Sequence, residues 1–196
     1  MIIKSSINTS KELIKGLHII SPKIIEDKRG FFYESWNKEK FESIIKDKIT
    51  FTQDNHTSSY KGVIRGLHYQ IKPRDQAKLI RCTKGQIFDI AVDIRKSSPT
   101  FGHWLGIDLN DLNKKELWIP SGFAHGFITI SNKAEVLYKT NNKWSQKHER
   151  SIKWDDKDLA IDWPIKENNI LKIIISKKDN ASPSFREAIE RGDIFK

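Results

Sequence analysis

Chemistry-bearing side chains crowd into one short run, Gly62-Val63-Ile64-Arg65-Gly66-Leu67-His68-Tyr69-Gln70, whose Val, Ile and Leu otherwise read as a β-strand. An imidazole titrates near neutral pH and can act as a general base, and a guanidinium can hold an anion. Strand alternation puts Gly66, His68 and Gln70 on one face, with Arg65, Leu67 and Tyr69 on the other. For Arg65 and His68 to serve one cavity, the alternation must break near Gly66, the residue type that permits a bulge or twist. The plainer alternative is a structural imidazole held by a backbone carbonyl beside a solvated guanidinium. Further along, Lys78 and His125 carry compatible chemistry, since cations and donors of this kind stabilise an oxyanion or grip phosphates.

The segments that must position these residues are mostly strands. Residues 17–25 read as an opening strand interrupted by Pro22, which predicts an edge position. Residues 37–47 place Phe41, Ile44 and Ile45 at helical spacing with Lys and Glu opposite, predicting a short helix packed on a sheet. From 50 to 141 strand follows strand across Gly, Pro, Asn and Asp turns, without an intervening helix. Within 86–95, Phe88, Ile90, Val92 and Ile94 form an apolar face, and Ile87, Asp89, Ala91 and Asp93 a partly acidic one. His103 to Leu109 and Leu117 to Ile119 read as further strands, Ile170 to Ile175 as one more, and Ser182 to Arg191 as a terminal helix. Many short, closely spaced strands predict a mainly β protein: an antiparallel sandwich, barrel or jelly roll with a few short peripheral helices.

Bulk properties narrow the classes. A chain of 196 residues is expected to form one domain and to bury a core without disulfides or metals. The lone Cys82 cannot make an intramolecular disulfide, which suits a reducing compartment. No apolar run is long enough to cross a bilayer, so a cytoplasmic, soluble protein with no membrane partner is expected. The net charge of +10 and pI near 9.6 suit acidic or phosphorylated partners. The lysines are scattered and form no basic arm, so nucleic acid is not expected.

Ile119-Pro120-Ser121-Gly122-Phe123-Ala124-His125-Gly126-Phe127 resembles the second short motif of the cupin superfamily, which implies a cupin-type jelly-roll barrel. In many cupins that His binds a metal together with an earlier His-x-His pair and a Glu. Here the earlier site reads His68-Tyr69-Gln70, followed by Gln76 and Lys78. An ammonium and a missing ligand disfavour a divalent ion, so the expected cavity is metal-free.

A longer series of motifs then appears in order: Asp27-x-Arg29-Gly30-x-Phe32-x-Glu34, Gln53-Asp54-Asn55-His56, Arg65 through Gln70, Asp89-x-Ala91-Val92-Asp93-x-Arg95, Ser98 through Gly102, Pro120-x-Gly122 through Phe127, Tyr138-Lys139 and Trp154-Asp155-Asp156. With these the chain resembles the dTDP-4-dehydrorhamnose 3,5-epimerase family over nearly its whole length, implying a single cupin-like epimerase domain spanning residues 1–196. The resemblance implies cofactor-independent epimerisation at C3 and C5 of dTDP-4-dehydro-6-deoxy-D-glucose, giving dTDP-4-dehydro-L-rhamnose for dTDP-rhamnose biosynthesis. It gives His68 as the base, Tyr138 as the proton donor on the opposite face, and Asp179 as the carboxylate that orients the base. It further implies that Arg29 and Glu34 lie near the nucleotide, that Gln53, Asp54 and Asn55 line the pocket, and that Arg65, Lys78 and His125 contact sugar and diphosphate. Glu149 and Lys178 follow as later polar contacts, and Trp144 stands where the family commonly stacks a Tyr on thymine. A homodimer is implied as well, with Arg29 and Glu34 reaching the partner's site. Competing expectations are a mono-epimerase or ketoisomerase of a related nucleotide sugar, a non-catalytic sugar-nucleotide-binding cupin, and a metal-dependent oxygenase.

Overall fold

The computed structural model describes residues 2–7 and 13–196, with side chains described from Ile14 onward. In chain order its elements are β1 (Ile2–Ile7), β2 (Leu13–Ser21), β3 (Ile25–Asp27), β4 (Gly30–Phe32), α1 (Lys38–Ile45), β5 (Gln53–Tyr60), β6 (Ile64–Gln70), β7 (Lys78–Lys84) and β8 (Gln86–Asp93). There follow β9 (Trp104–Asn110), β10 (Glu116–Ile119), β11 (Phe123–Thr129), β12 (Lys133–Thr140), β13 (Glu149–Ser151), α2 (Lys177–Asn180) and α3 (Phe185–Glu190). The strands form a six-stranded sheet in the order β1-β2-β10-β7-β12-β5 and a five-stranded sheet in the order β13-β6-β11-β8-β9, with β3–β4 as a separate hairpin. Neighbours pair antiparallel throughout, and the interleaved order is that of a cupin-type jelly roll.

Two stacked sheets must bury the faces they turn toward each other. Here Ile80, Leu117, Ile119 and Val136 of one meet Ile87, Ala91, Leu105, Phe123 and Phe127 of the other. The apolar face of β8 points the opposite way: Ile90 and Val92 pack outward with Ile64, Leu67 and Tyr69, beneath Ile152, Leu159, Trp163 and Phe185 from the C-terminal wrapping segment. The partly acidic face of β8 therefore lines the barrel interior, where Asp89 and Asp93 are fully buried. Asp93 is satisfied there by Arg95, Ser98 and Thr100. On the far side of the six-stranded sheet, Phe41 of α1 packs with Trp118, Leu79 and Ile20.

Local sequence explains the helix ends. Asn37 caps α1 by accepting from Lys40 N–H at 3.1 Å, and Lys46 closes it in the left-handed region at φ +55°. Ser184 and Glu187 form a reciprocal capping box at the start of α3.

Two expectations are corrected. The opening strand ends at Ser21, before Pro22, and lies between β1 and β10 instead of at an edge; proline outside the ladder removes no hydrogen bond from it. Residues 170–175 form no strand: among the described residues their one β-bridge joins Ile174 to Val63, and Leu171 is almost wholly exposed. Among the described residues no helix is long and apolar enough to cross a membrane.

Candidate active site

The site is built where β6 crosses β11. Their register runs Arg65 opposite Phe127 and His68 opposite His125, so Gly66 and Leu67 together face Gly126 alone. One extra residue on β6 is a bulge, and it turns Leu67 outward into the apolar cluster with Ile64 and Tyr69. Arg65 and His68 are thereby freed to share the inner side. Gly66 sits at φ +119°, and a Cβ there would lie 2.6 Å from Gly126 Cα and 2.7 Å from the His125 carbonyl oxygen. Only glycine fits this crossing.

His68 donates through Nε2 to Asp179 Oδ1 at 2.7 Å. Asp179 belongs to α2, a four-residue helix whose start is set by Ser176, which accepts from the Asp179 N–H at 3.0 Å. Burial alone would raise the Asp179 carboxyl pKa. Hydrogen bonds from His68 and the Gly66 N–H outweigh it and hold the carboxyl below the usual range. A carboxylate on Nε2 fixes the tautomer that leaves Nδ1 unprotonated, the state a general base requires.

His125, directly across from His68, repeats the arrangement: its Nε2 donates to Asp89 Oδ1 at 2.8 Å. Burial lowers the His125 pKa, and the charges of Lys78 and His68 act in the same direction, overcoming the opposing pull of Asp89. Lys78 is buried between these groups and donates to the His68 carbonyl oxygen at 3.2 Å. Burial pulls its pKa down to about 8, with Asp89 and Glu149 acting in the opposite direction. Tyr138 enters from β12 on the facing sheet; burial raises its phenol pKa, Glu149 adds to the rise and Arg65 opposes it. Of these groups His68, Lys78 and Tyr138 line a cleft, together with Gln53, Asn55, Tyr69, Gln70, Gln76, Trp144 and Glu149.

The other expected residues divide. Arg65 donates to Ser59 Oγ at 3.0 Å and lies close enough to Tyr138 for its charge to act on the phenol. Lys178 pairs with Glu149 at 2.6 Å at the rim. Asp54 alternates to the outer face of β5 and pairs with Lys139 at 3.0 Å, away from the cleft between Gln53 and Asn55. Arg29 pairs with Asp27 and Glu34 with Lys40; neither lines the cleft of its own chain. Asp89, Gln70 and Gln76 were not expected as site residues. The acidic face of 86–95 was the available signal for Asp89, because a carboxylate in an interior strand demands a partner.

The chemistry available is proton transfer. An oriented imidazole can accept a proton, a phenol that keeps its own can return one, and Lys78 with His125 can stabilise negative oxygen between them. The donor set suits a divalent ion poorly, because both histidine Nε2 atoms are already bonded to carboxylates and an ammonium stands beside them. Fold and site together define a jelly-roll barrel whose cleft gathers a carboxylate-bound imidazole, an ammonium and a phenol.

Comparison with known proteins makes this specific. A model of the dTDP-4-dehydrorhamnose 3,5-epimerase family matches residues 11–187. A dTDP-4-dehydrorhamnose 3,5-epimerase of Shigella flexneri is 50% identical over 181 residues, covering 92% of this chain and 97% of its own. The crystal structure of an epimerase from Legionella pneumophila Philadelphia 1 in complex with dTDP-4-keto-L-rhamnose is 42% identical, with a TM-score of 0.88 over 100% of this chain and 98% of its own. A 3'-monoepimerase from Streptomyces bikiniensis in complex with dTDP-quinovose shares 28% identity and a TM-score of 0.85, covering 91% and 88% of the two chains. The chain belongs to the dTDP-4-dehydrorhamnose 3,5-epimerase family.

Proposed function

We propose that this protein epimerises dTDP-4-dehydro-6-deoxy-D-glucose at C3 and C5 to dTDP-4-dehydro-L-rhamnose. The observation that carries the reading is the 2.7 Å bond from His68 Nε2 to the buried Asp179, in a cleft that Tyr138 enters from the facing sheet. The C4 ketone makes both neighbouring C–H bonds acidic. At each carbon His68 Nδ1 removes the proton, Lys78 and His125 stabilise the enolate oxygen, and Tyr138 returns a proton to the opposite face; between the two steps His68 releases its proton to solvent and Tyr138 takes one up from it. A phenol pKa raised by burial keeps Tyr138 protonated, so the donor is loaded at neutral pH. The thymine ring stacks on Trp144, whose indole is 55% exposed at the cleft mouth.

The β3–β4 hairpin supports a homodimer. It projects Ile25, Phe31 and Phe32 into solvent, the last 69% exposed, and carries Arg29 at its turn. Docking on a second copy covers those rings and delivers Arg29 and Glu34 to the partner's nucleotide.

Incubation with the 4-keto sugar in heavy water tests the reaction. Deuterium at both C3 and C5, with the L-rhamno product, is expected. Exchange at one carbon favours the mono-epimerase reading, which the Streptomyces bikiniensis structure keeps in view, and no exchange rejects both.

A further inference from the structure

Trp144 lies in the loop between β12 and β13, and the backbone on both sides of it is gripped by glutamine side chains. Gln53 Oε1 accepts from the Trp144 N–H at 2.9 Å, and Gln53 Nε2 donates to Asn55 Oδ1 at 2.8 Å. Gln70 Oε1 accepts from the Ser145 N–H at 2.6 Å, while its Nε2 donates to the Lys143 carbonyl at 3.3 Å and to that of Arg74. Gln76 adds a third amide, donating to the Asn142 carbonyl at 2.8 Å. Gln53 stands on β5 of the six-stranded sheet and Gln70 on β6 of the five-stranded sheet, so the two peptide groups flanking Trp144 are tied to opposite walls of the barrel mouth. Gln70 is only 2% exposed, and both ends of its amide are spent on backbone. Both ends of the Gln53 amide are likewise engaged within the protein.

We infer that Gln53 and Gln70 are positioning residues that clasp the Trp144 loop across the cleft mouth and so set affinity for the nucleoside diphosphate, without contacting it. The inference rests on the stacking role proposed for Trp144. It assigns Gln53 a different role from direct substrate contact, because its carbonyl oxygen and amide nitrogen each already have a partner. A surface loop held only by its own short bonds samples many conformations; amides anchored in two sheets remove that freedom before the ligand arrives.

The test is a double-mutant cycle read by calorimetric binding of dTDP. Gln70→Leu and Gln53→Leu are each expected to weaken dTDP binding about fivefold, the size of one net hydrogen bond, and to raise KM while kcat changes less. In a Trp144→Ala background the same substitutions are expected to change affinity by less than about twofold, because the clasp then has no indole to position. Gln53 is only half-buried, so Gln53→Leu carries the cycle alone if the Gln70 variant does not fold. Equal losses with and without Trp144 overturn the clasp while leaving the nucleotide reading intact, since direct contact or general destabilisation would add. A wild-type protein that binds no dTDP overturns both.

Discussion

Replacing Gly66 by Ala isolates the crossing on which the site depends. Two costs are expected. The backbone sits at φ +119°, where an L side chain is strained by about 1–2 kcal/mol. The new methyl also meets backbone at 2.6 and 2.7 Å, from Gly126 Cα and the His125 oxygen. Backbone cannot swing aside as a side chain can, so β6 and β11 must separate or the bulge must shift, adding about 3 kcal/mol. Gly30 supplies the control: its φ is +122° and nothing of its own chain lies within 4 Å of the added Cβ, so with both variants made in the monomeric Phe32→Asp background Gly30→Ala carries only the conformational cost. For a chain of this size each kcal/mol is worth about 2–4 °C of Tm. Thermal unfolding followed by circular dichroism should therefore place Gly66→Ala about 6–12 °C below Gly30→Ala. Turnover should fall as well, because Arg65 and His68 lose their shared face. Equal Tm values for the two variants would refute the close approach as the reason for glycine at position 66.

Other expectations concern the chemistry. Asp179→Asn should slow deuterium exchange at C3 and C5 by roughly 100-fold or more, because an amide on Nε2 permits the tautomer with Nδ1 protonated, while dTDP affinity holds within about twofold. Lys78, at about 8, should give kcat/KM a descending limb above that pH, as the ammonium facing the enolate is lost; Lys78→Met should abolish the limb together with most of the activity. The stability sign is the reverse: the Lys78 pKa is lowered on folding, so the unfolded chain binds more protons from about pH 8 up to the ordinary lysine value near 10.5, and this residue's contribution to stability increases across that window. Denaturant titrations of wild type and Lys78→Met at pH 7 and 9.5 should converge at the higher pH. Tyr138→Phe should leave proton abstraction measurable while product formation drops by about 100-fold or more, seen as solvent deuterium entering recovered substrate. Phe32→Asp should shift sedimentation from dimer to monomer, since a charge on the hairpin cannot be buried against a second copy.

Much of this protein was legible from residue order. Period-two alternation announced the strands of the barrel, Phe41, Ile44 and Ile45 announced α1, and the break at Gly66 followed from asking how Arg65 and His68 could serve one cavity. Alternation also implied that Asp54 cannot face the same way as Gln53 and Asn55, although the motif they share drew all three into one expectation. What pattern could not supply was the environment of each face. The apolar side of 86–95 turns away from the barrel interior because the C-terminal segment covers it, which leaves Asp89 inside to meet His125. The stretch 170–175 reads as a strand by composition, yet among the described residues it meets no partner beyond the single Val63–Ile174 bridge, so its backbone does not extend into a ladder.

The division falls between what neighbours in sequence decide and what neighbours in space decide. Sequence alone determined which groups were available: an imidazole four residues after Ile64, an ammonium at Lys78, a phenol at Tyr138, and a glycine where the strand had to bend. Tertiary structure decided what each could do. It set Asp179 on the His68 ring from 111 residues away, buried Lys78 until its pKa fell to about 8, and spent Gln53 and Gln70 on the loop that carries Trp144. Acidity, tautomer and hydrogen-bond occupancy depend on desolvation and on partners a few ångströms away, and only the folded chain brings those together.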